Sequence, residues 1–190
     1  RNQLFTSYIR TIVNVQPDFF VMENVTGILS MVFDEYTGLS GNVYHKTHVP
    51  EIIVKEFNFF GYDVSYSTLN ASDYGVPQHR QRVFFLGSKK NIAIKPNFPQ
   101  KTDQKVGSKK AIDDLSFLMK GTSTEYQDFN QFSRYQLDSK RGRTPGIIGK
   151  PICATKLNNH EASTHSEKVR RRFSLLQEGE SIKRLKARLS

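Results

Sequence analysis

The chain has 190 residues, of which 37% are hydrophobic and 12% are aromatic, and its formal net charge is +10. This apolar content is enough for a folded core, which disfavours a disordered chain, and the lack of any run of about 18 apolar residues excludes a membrane-spanning helix. The single cysteine, Cys153, excludes an internal disulfide framework and is typical of a reducing compartment.

A helix is predicted at the start of the chain, because apolar residues repeat at helical spacing from Leu4 to Val13. The chain opens on Arg1 rather than on methionine, and it stops in a basic stretch without a terminating signal. We therefore expect both ends to be cut from a longer chain.

The next segments indicate an alternation of strand and helix. Residues 19–22 form a continuous apolar run, which suits a strand buried on both faces, as in a mostly parallel sheet. A short helix is predicted at 28–33. A longer helix is predicted at 49–60, because Pro50 stands at its start and Gly61 stands directly after its end.

Two further strands are predicted at 62–69 and 82–86, and no helix is predicted between them. A parallel return needs a crossover of about a dozen or more residues, usually helical, so these two strands are expected to pair antiparallel. The predicted fold class is therefore α/β, with a partial Rossmann-like sheet that includes an antiparallel strand and is followed by an irregular basic region. Other α/β folds permit the same layout.

The composition changes beyond Lys89, where residues 95–99 are linker-like and short helices are predicted at 109–118 and 166–176. Residues 1–88 hold 6 Lys and Arg against 8 Asp and Glu, whereas residues 89–190 hold 22 against 10. A boundary is therefore predicted near residue 90, between a first domain at 1–90 and a basic region at 91–190. The excess of positive charge suits a phosphate backbone as partner, and a solvated basic surface is equally consistent with it.

The first candidate site follows the apolar strand, where Glu23 and Asn24 stand at its carboxyl end. Ligands of open α/β sheets bind beyond this end of the strands, so a carboxylate and an amide are well placed there for chemistry. This segment alone is weak evidence for a site, because acidic residues that follow strands are more often ordinary turn or helix-start residues.

The second candidate site is the alternating series Gln78, Arg80 and Arg82, which leads into a predicted strand. Alternate residues project to the same side of a strand, so these three are expected to form one array of donors. Guanidinium and amide donors suit a carboxylate, a phosphate or a base oxygen. The spacing is equally consistent with an exposed basic strand end that binds no ligand.

In this order, the two segments resemble the cytosine-5 DNA methyltransferase family. The Glu-Asn-Val triplet at 23–25 matches a motif of that family, and residues 78–82 match its Gln-x-Arg-x-Arg motif. Further segments that resemble the family lie at 70–77 and 1–5 and, more loosely, at 157–161 and 178–182. The resemblance implies the second half of the family's catalytic domain, with a partial methyltransferase sheet, followed by the basic lead-in to its target-recognition region.

The resemblance implies transfer of a methyl group from S-adenosylmethionine to C5 of a cytosine flipped out of duplex DNA, in a restriction-modification context. Glu23 matches the family's acid that faces N3 of the base. Arg82 matches the arginine at the O2 side of the cytosine and at the glutamate, and Arg80 belongs to the same basic array. Asn24 would orient the loop of Glu23, and Gln78 would be structural or bind the loop around the flipped base.

Parts of the family's machinery have no match in the sequence. Its nucleophilic cysteine lies upstream of the Glu-Asn-Val triplet in a Pro-Cys motif, whereas Cys153 lies downstream in a context that does not match. The glycine-rich cofactor loop has no match either, and Leu4 matches a position that helps to wall the cofactor's adenine. The 190 residues alone are therefore expected to be inactive, and a complementary methyltransferase half or subunit is a possible partner.

The resemblance also implies double-stranded DNA as partner, no membrane partner, and a cytoplasmic location in a bacterium or phage host. In the basic region, Arg170, Arg171 and Arg172 are candidates for contacts to DNA, although a solvated helix face is as consistent with them. The five histidines show no metal-binding pattern, so no metal is expected. The alternative function is a non-catalytic DNA-binding or interaction module that retains the methyltransferase scaffold.

Overall fold

Helices and strands alternate along the first part of the chain in the computed structural model, which describes residues 4–115, 132–141 and 164–189. The chain divides into two units, Arg1–Ala111 and Ile112–Ser190. The strands are β1 Phe19–Asn24, β2 Val32–Thr37, β3 Val43–His48, β4 Tyr62–Asn70 and β5 Gln81–Lys89. The α-helices that the structure describes are α1 Leu4–Val15, α2 Val49–Phe59, α3 Ser108–Ile112, α4 Arg134–Arg141, α5 Glu167–Leu175 and α6 Ile182–Leu189.

Helices α1 and α2 form a core together with one face of a sheet. Helix α1 buries Phe5, Ile9 and Ile12, whose spacing of four and three residues places them on one side of the helix. The same cluster of buried side chains contains Ile52, Ile53 and Phe57 of α2 and Phe20, Met22, Val83 and Phe85 of the sheet. Full burial of a side chain of this kind contributes about 1.5–3 kcal/mol, so this cluster fixes the strands against the two helices.

Strand β5 lies between β1 and β4 and pairs antiparallel with both. The antiparallel pairing predicted for residues 62–69 and 82–86 is thereby confirmed. The expectation that the strand at 19–22 is buried on both faces is wrong for the described part of the chain, and a parallel neighbour is not seen among the three described strands of its sheet. Only one face of β1 packs into the core cluster, so that Phe19 and Val21 are 46% and 59% exposed.

A hairpin of β2 and β3 follows β1, where the sequence predicted a helix at 28–33. That prediction is confirmed in part, since a short helix of the 3-10 type forms at Thr26–Ser30, but it ends earlier than expected and β2 begins at Val32. A tight reversal joins β2 to β3, where the Gly38 N–H donates to the Asn42 carbonyl over 2.8 Å and Gly41 adopts a φ of 85°. Glycine adopts this conformation at no steric cost, which lets the two strands pair.

A buried carboxylate fastens the hairpin to α2. Glu56 is 0% exposed, and its carboxylate accepts hydrogen bonds from the Tyr44 hydroxyl at 2.6 Å and from the Ser40 N–H at 3.0 Å. The Ser40 hydroxyl also donates to it. Burial, together with the hydrogen bond and the charge of Glu56, raises the pKa of Tyr44 to about 12. The link therefore consists of neutral donors around one buried acid.

In the second unit, an ion pair closes the turn between α5 and α6. Arg188 Nε and Nη2 each lie 2.9 Å from one of the two carboxylate oxygens of Glu180, and Nη2 also donates to the Leu175 carbonyl at 2.7 Å. The Arg188 guanidinium and the Gln177 N–H hold the pKa of Glu180 down at about 2. The basic helix predicted at 166–176 is confirmed as α5.

The helix predicted at 109–118 corresponds to α3 and a 3-10 turn at Asp113–Leu115, after which the chain leaves the described residues. Across 4–115, 132–141 and 164–189, the helices are all too short or too polar to cross a membrane. The domain boundary near residue 90 stays a prediction.

Candidate active site

Glu23 and Arg82 form an ion pair where β1 ends. Glu23 lies opposite Phe84 in the β1–β5 ladder, and Arg82 precedes Phe84 by two residues, so the two side chains project from the same face of the sheet. Arg82 Nε lies 2.8 Å from Glu23 Oε1, with 23% of the arginine and 45% of the glutamate side chain exposed. The sheet thus presents an accessible carboxylate that a guanidinium holds in place.

Side-chain amides fix the backbone on both sides of this pair. The Asn24 side-chain oxygen accepts a hydrogen bond from the Val25 N–H at 2.8 Å, directly after Glu23. The Asn70 side-chain oxygen accepts one from the Arg80 N–H at 3.0 Å, directly before β5. Asn70 was not predicted as a site residue, although an asparagine that leads into a turn is a recognisable signal for such a bond.

A cavity of about 470 Å³ opens beside the ion pair. Glu23, Arg80 and Arg82 supply its charged groups, and Phe84 and Leu86 are among the apolar side chains that line it. An apolar cavity with a few convergent polar groups is the usual form of a site for a small ligand. The predicted array is therefore brought together in part, because both arginines share the cavity wall.

The chain beyond β5 also reaches this cavity. Residues 95–102, here called the strap, contribute Asn97, Phe98 and Pro99 to the cavity wall. Sequence reasoning treated residues 95–99 only as a linker. The two prolines of this segment, Pro96 and Pro99, indicate an extended and irregular backbone. No local signal in the sequence indicates which part of the fold such a segment contacts.

The strap is anchored on both sides of the segment that lines the cavity. Lys95 Nζ lies 2.8 Å from the Asp63 carboxylate of β4. Lys101 Nζ lies 2.9 Å from the Asp73 carboxylate, and the Thr102 N–H donates to the Asp73 carbonyl over 2.8 Å. The hydrogen bond from Lys101 lowers the pKa of Asp73. The Asp73 carboxylate therefore keeps its charge, and its ion pair with Lys101, to a lower pH than an ordinary aspartate would.

The other predicted site residues do not belong to this ion pair. Gln78 is exposed and is not among the described residues that line the cavity, and Leu4 is 76% exposed at the start of α1. The three arginines of α5 are exposed and belong to the second unit: Arg170, Arg171 and Arg172. Cys153 and the segments 1–3 and 157–161 lie outside the described residues. In the described part of the chain, no group of three or more His, Cys, Asp or Glu is placed to hold a metal ion.

Comparison with known proteins gives one consistent result. The family model of the C-5 cytosine-specific DNA methylases matches residues 1–187. Type II methyltransferase M.DdeI of Desulfomicrobium norvegicum is 36% identical in an alignment that covers 96% of this chain and 41% of that protein. Type II methyltransferase M.MthTI of Methanothermobacter thermautotrophicus is 38% identical over 117 residues, which cover 60% of this chain and 31% of that protein.

A solved structure agrees with this result. A crystal structure described as that of a DNA modification methyltransferase encoded within a prophage (E. coli) has a TM-score of 0.66 and 26% identity, and the match covers 96% of this chain and 52% of that chain. The chain therefore spans about half or less of the length of the proteins that it matches.

Proposed function

Because the chain belongs to the C-5 cytosine-specific DNA methylase family, we propose that it is part of a DNA (cytosine-5)-methyltransferase, which methylates C5 of a cytosine flipped out of duplex DNA. The restriction-modification context is proposed from the two relatives that are named Type II methyltransferases. The observation that carries the function is the Glu23–Arg82 pair, 2.8 Å apart at the wall of a cavity of about 470 Å³. An acid and a guanidinium there can meet the same small ligand.

The role proposed for Glu23 follows from the reactivity of cytosine. The ring is a poor electrophile, so a nucleophile adds at C6 only when the negative charge that builds up at N3 is neutralised. A carboxyl group that faces N3 supplies a proton or a strong hydrogen bond at that atom. Since C6 and N3 cannot be reached in the stacked duplex, the base has to leave it and enter a pocket.

The neighbouring polar residues are proposed to position the acid and the base. Arg82 would hold Glu23 through their ion pair and reach the O2 side of the cytosine. Arg80, which lines the same cavity, would extend the positive charge towards the DNA backbone. Asn24 would fix the loop after Glu23, and Gln78, which is exposed, would bind the loop around the flipped base.

The sheet is proposed to be the edge of a Rossmann-like methyltransferase sheet. Since β5 is antiparallel to both of its neighbours, β1 and β4 run in the same direction on either side of it, which fits a parallel sheet with one reversed strand. Residues 1–90 would then be the second half of the catalytic domain, and residues 91–190 the basic lead-in to the target-recognition region. There, Arg170, Arg171 and Arg172 would contact the phosphates of double-stranded DNA.

S-adenosylmethionine would supply the methyl group for this reaction. Within the chain, Leu4 is the residue proposed to hold it, because its 76% exposed apolar side chain can pack against an adenine ring. The sequence has neither a Pro-Cys motif before Glu23 nor a glycine-rich loop for the cofactor. We therefore propose that the 190 residues alone are inactive and need a polypeptide that carries both.

A methyl-transfer assay with labelled S-adenosylmethionine and a pool of cytosine-containing duplexes tests this proposal. The chain alone is expected to transfer no methyl group, and a mixture with a polypeptide that carries the nucleophile and the cofactor loop is expected to transfer it. Methyl transfer by the chain alone would contradict the proposed inactivity.

The second candidate function is a non-catalytic DNA-binding module, which the exposed arginines of α5 favour. Such a module would bind duplex DNA with a strong dependence on salt, because bound cations are released from the phosphates. It would give no methyl transfer in the mixture, whereas the methyltransferase would give both binding and transfer. The two functions are therefore separated by the same mixture.

A further inference from the structure

The wall of the cavity comes from three parts of the chain, which are the sheet, the 3-10 turn at Ala71–Tyr74 and the strap. Glu23 and Arg82 come from the sheet, where they present charged groups, whereas Phe98 comes from the strap and presents an aromatic ring. Charged groups of this kind recognise the polar edge of a nucleobase but do not pack against its two faces, and Phe84 lines only the sheet side of the cavity. Aromatic side chains are the usual partners of such faces, because every base has a π-face on which a ring can stack.

The strap holds Phe98 in place before any ligand binds. Phe98 is half-buried, and the residue after it, Pro99, has a restricted backbone, as does Pro96 at the start of the segment. Ion pairs at Lys95 and Lys101 anchor the segment on either side. A wall that is already ordered costs less conformational entropy on binding than a loop that must close, so it adds more to affinity.

The anchor at Lys101 also ties the strap to another part of the cavity wall. Its partner, Asp73, belongs to the 3-10 turn at Ala71–Tyr74, whose first and last residues both line the cavity. Only 22% of the Asp73 side chain is exposed, and its carbonyl accepts the Thr102 N–H in addition. Asp73 therefore sets the distance between the turn and the strap.

We propose that the strap is a wall of the base pocket, in which Phe98 packs against the face of the cytosine ring and the Asp73–Lys101 ion pair positions it. This assignment rests on the proposed function, because it places Phe98 against the same base as Glu23 and Arg82. Phe98 is a residue that contacts the base, and Asp73 and Lys101 are positioning residues.

The test compares the affinity of the full chain for two duplexes, one with a single unpaired cytosine and one with an abasic site at the same position. The ratio of the two dissociation constants is the preference for cytosine. Phe98→Ala is expected to lower this preference about tenfold, which corresponds to about 1.4 kcal/mol. Phe98→Tyr is expected to keep it. The matched control is Phe59→Ala, which removes a 60% exposed ring outside the cavity and is expected to leave the preference unchanged.

The positioning role has its own readout. Asp73→Asn is expected to lower the preference for cytosine by a smaller factor, and the exchanged pair of Asp73→Lys with Lys101→Asp is expected to restore it. Failure of the exchange to restore a lowered preference would overturn the role of the ion pair. Circular dichroism checks the fold of each variant, and Phe98→Leu decides the role of the ring should Phe98→Ala not fold.

Glu23→Ala, measured in parallel, separates the two proposals. A preference that falls in Glu23→Ala and stays unchanged in Phe98→Ala overturns the role of the strap and leaves the proposed function standing. A preference that is absent from the unmodified chain, or that Glu23→Ala does not change, counts against the proposed function and the strap together.

Discussion

Replacing Tyr44 by phenylalanine tests the buried link between the β2–β3 hairpin and α2. The Tyr44 hydroxyl donates to the fully buried Glu56 carboxylate over 2.6 Å. Removing a hydrogen bond to a charged group costs about 1.5–3 kcal/mol, so Tyr44→Phe is expected to lower the free energy of unfolding by about that amount near neutral pH. Ser40 remains as a donor to the carboxylate, which keeps the loss at this level.

The same link predicts how the cost changes with pH. The pKa of Tyr44 is about 12 in the folded chain, against an ordinary value of 10.0. The contribution of Tyr44 to stability is therefore fully present below pH 10 and is lost as the pH rises through 12, because the unfolded chain releases the proton first. At pH 11, one pH unit above the ordinary pKa, the loss amounts to about 1.4 kcal/mol.

Urea denaturation of the unmodified chain and of Tyr44→Phe at pH 8 and pH 11 measures both effects. The difference between the two free energies of unfolding is expected to shrink by about 1.4 kcal/mol at the higher pH. Tyr66→Phe serves as the control, because Tyr66 is 44% exposed and the difference it makes should be small at both pH values. A difference for Tyr44→Phe that is absent at pH 8, or the same at both pH values, would refute the reasoning.

Three further outcomes are expected. Gly87→Ala should lower the free energy of unfolding by about 1–3 kcal/mol, because a Cβ there would overlap the buried ring of Phe20, and an unchanged melting temperature would contradict this packing. The pKa of Glu180 is about 2, against an ordinary 4.5, so the stability that its pairing with Arg188 contributes is present above pH 4.5 and is lost as the pH falls through 2. Amide exchange in α6 should become faster over that pH range, and Glu180→Gln should remove this pH dependence of the exchange. Arg82→Lys should reduce methyl transfer by the reconstituted mixture about tenfold or more, because lysine lacks the planar donor group that holds the acid, and full activity would show that the guanidinium is not needed.

Some elements could be predicted because their signals are local. Pro50 and Gly61 bracket α2 almost at its observed ends, and the short link between β4 and β5 leaves little choice but an antiparallel pair. The exposed face of β1 could not be predicted in this way, because the apolar run at 19–22 does not say how many of its faces are covered. The β2–β3 hairpin was missed for a related reason, since its reversal depends on one tight turn at Gly41.

The site shows the same division between local and distant signals. The order of the Glu-Asn-Val and Gln-x-Arg-x-Arg motifs was enough to predict the family, which the match over residues 1–187 confirms. The motifs also named both partners of the Glu23–Arg82 pair. They could not reveal Phe98 in the cavity wall, because its place depends on the contact of Lys101 with Asp73, which the sequence spacing does not encode.

Methyl transfer by the reconstituted mixture, compared between Glu23→Gln and Glu51→Gln, tests the central claim most directly. Both substitutions remove one exposed carboxylate of the same length, but Glu51 lies in the first turn of α2, away from the cavity. Loss of the acid that faces N3 is expected to slow transfer about 100- to 10,000-fold, whereas Glu51→Gln should be as active as the unmodified chain. Transfer by Glu23→Gln at the unmodified rate would contradict the assignment of Glu23 as the acid of the site.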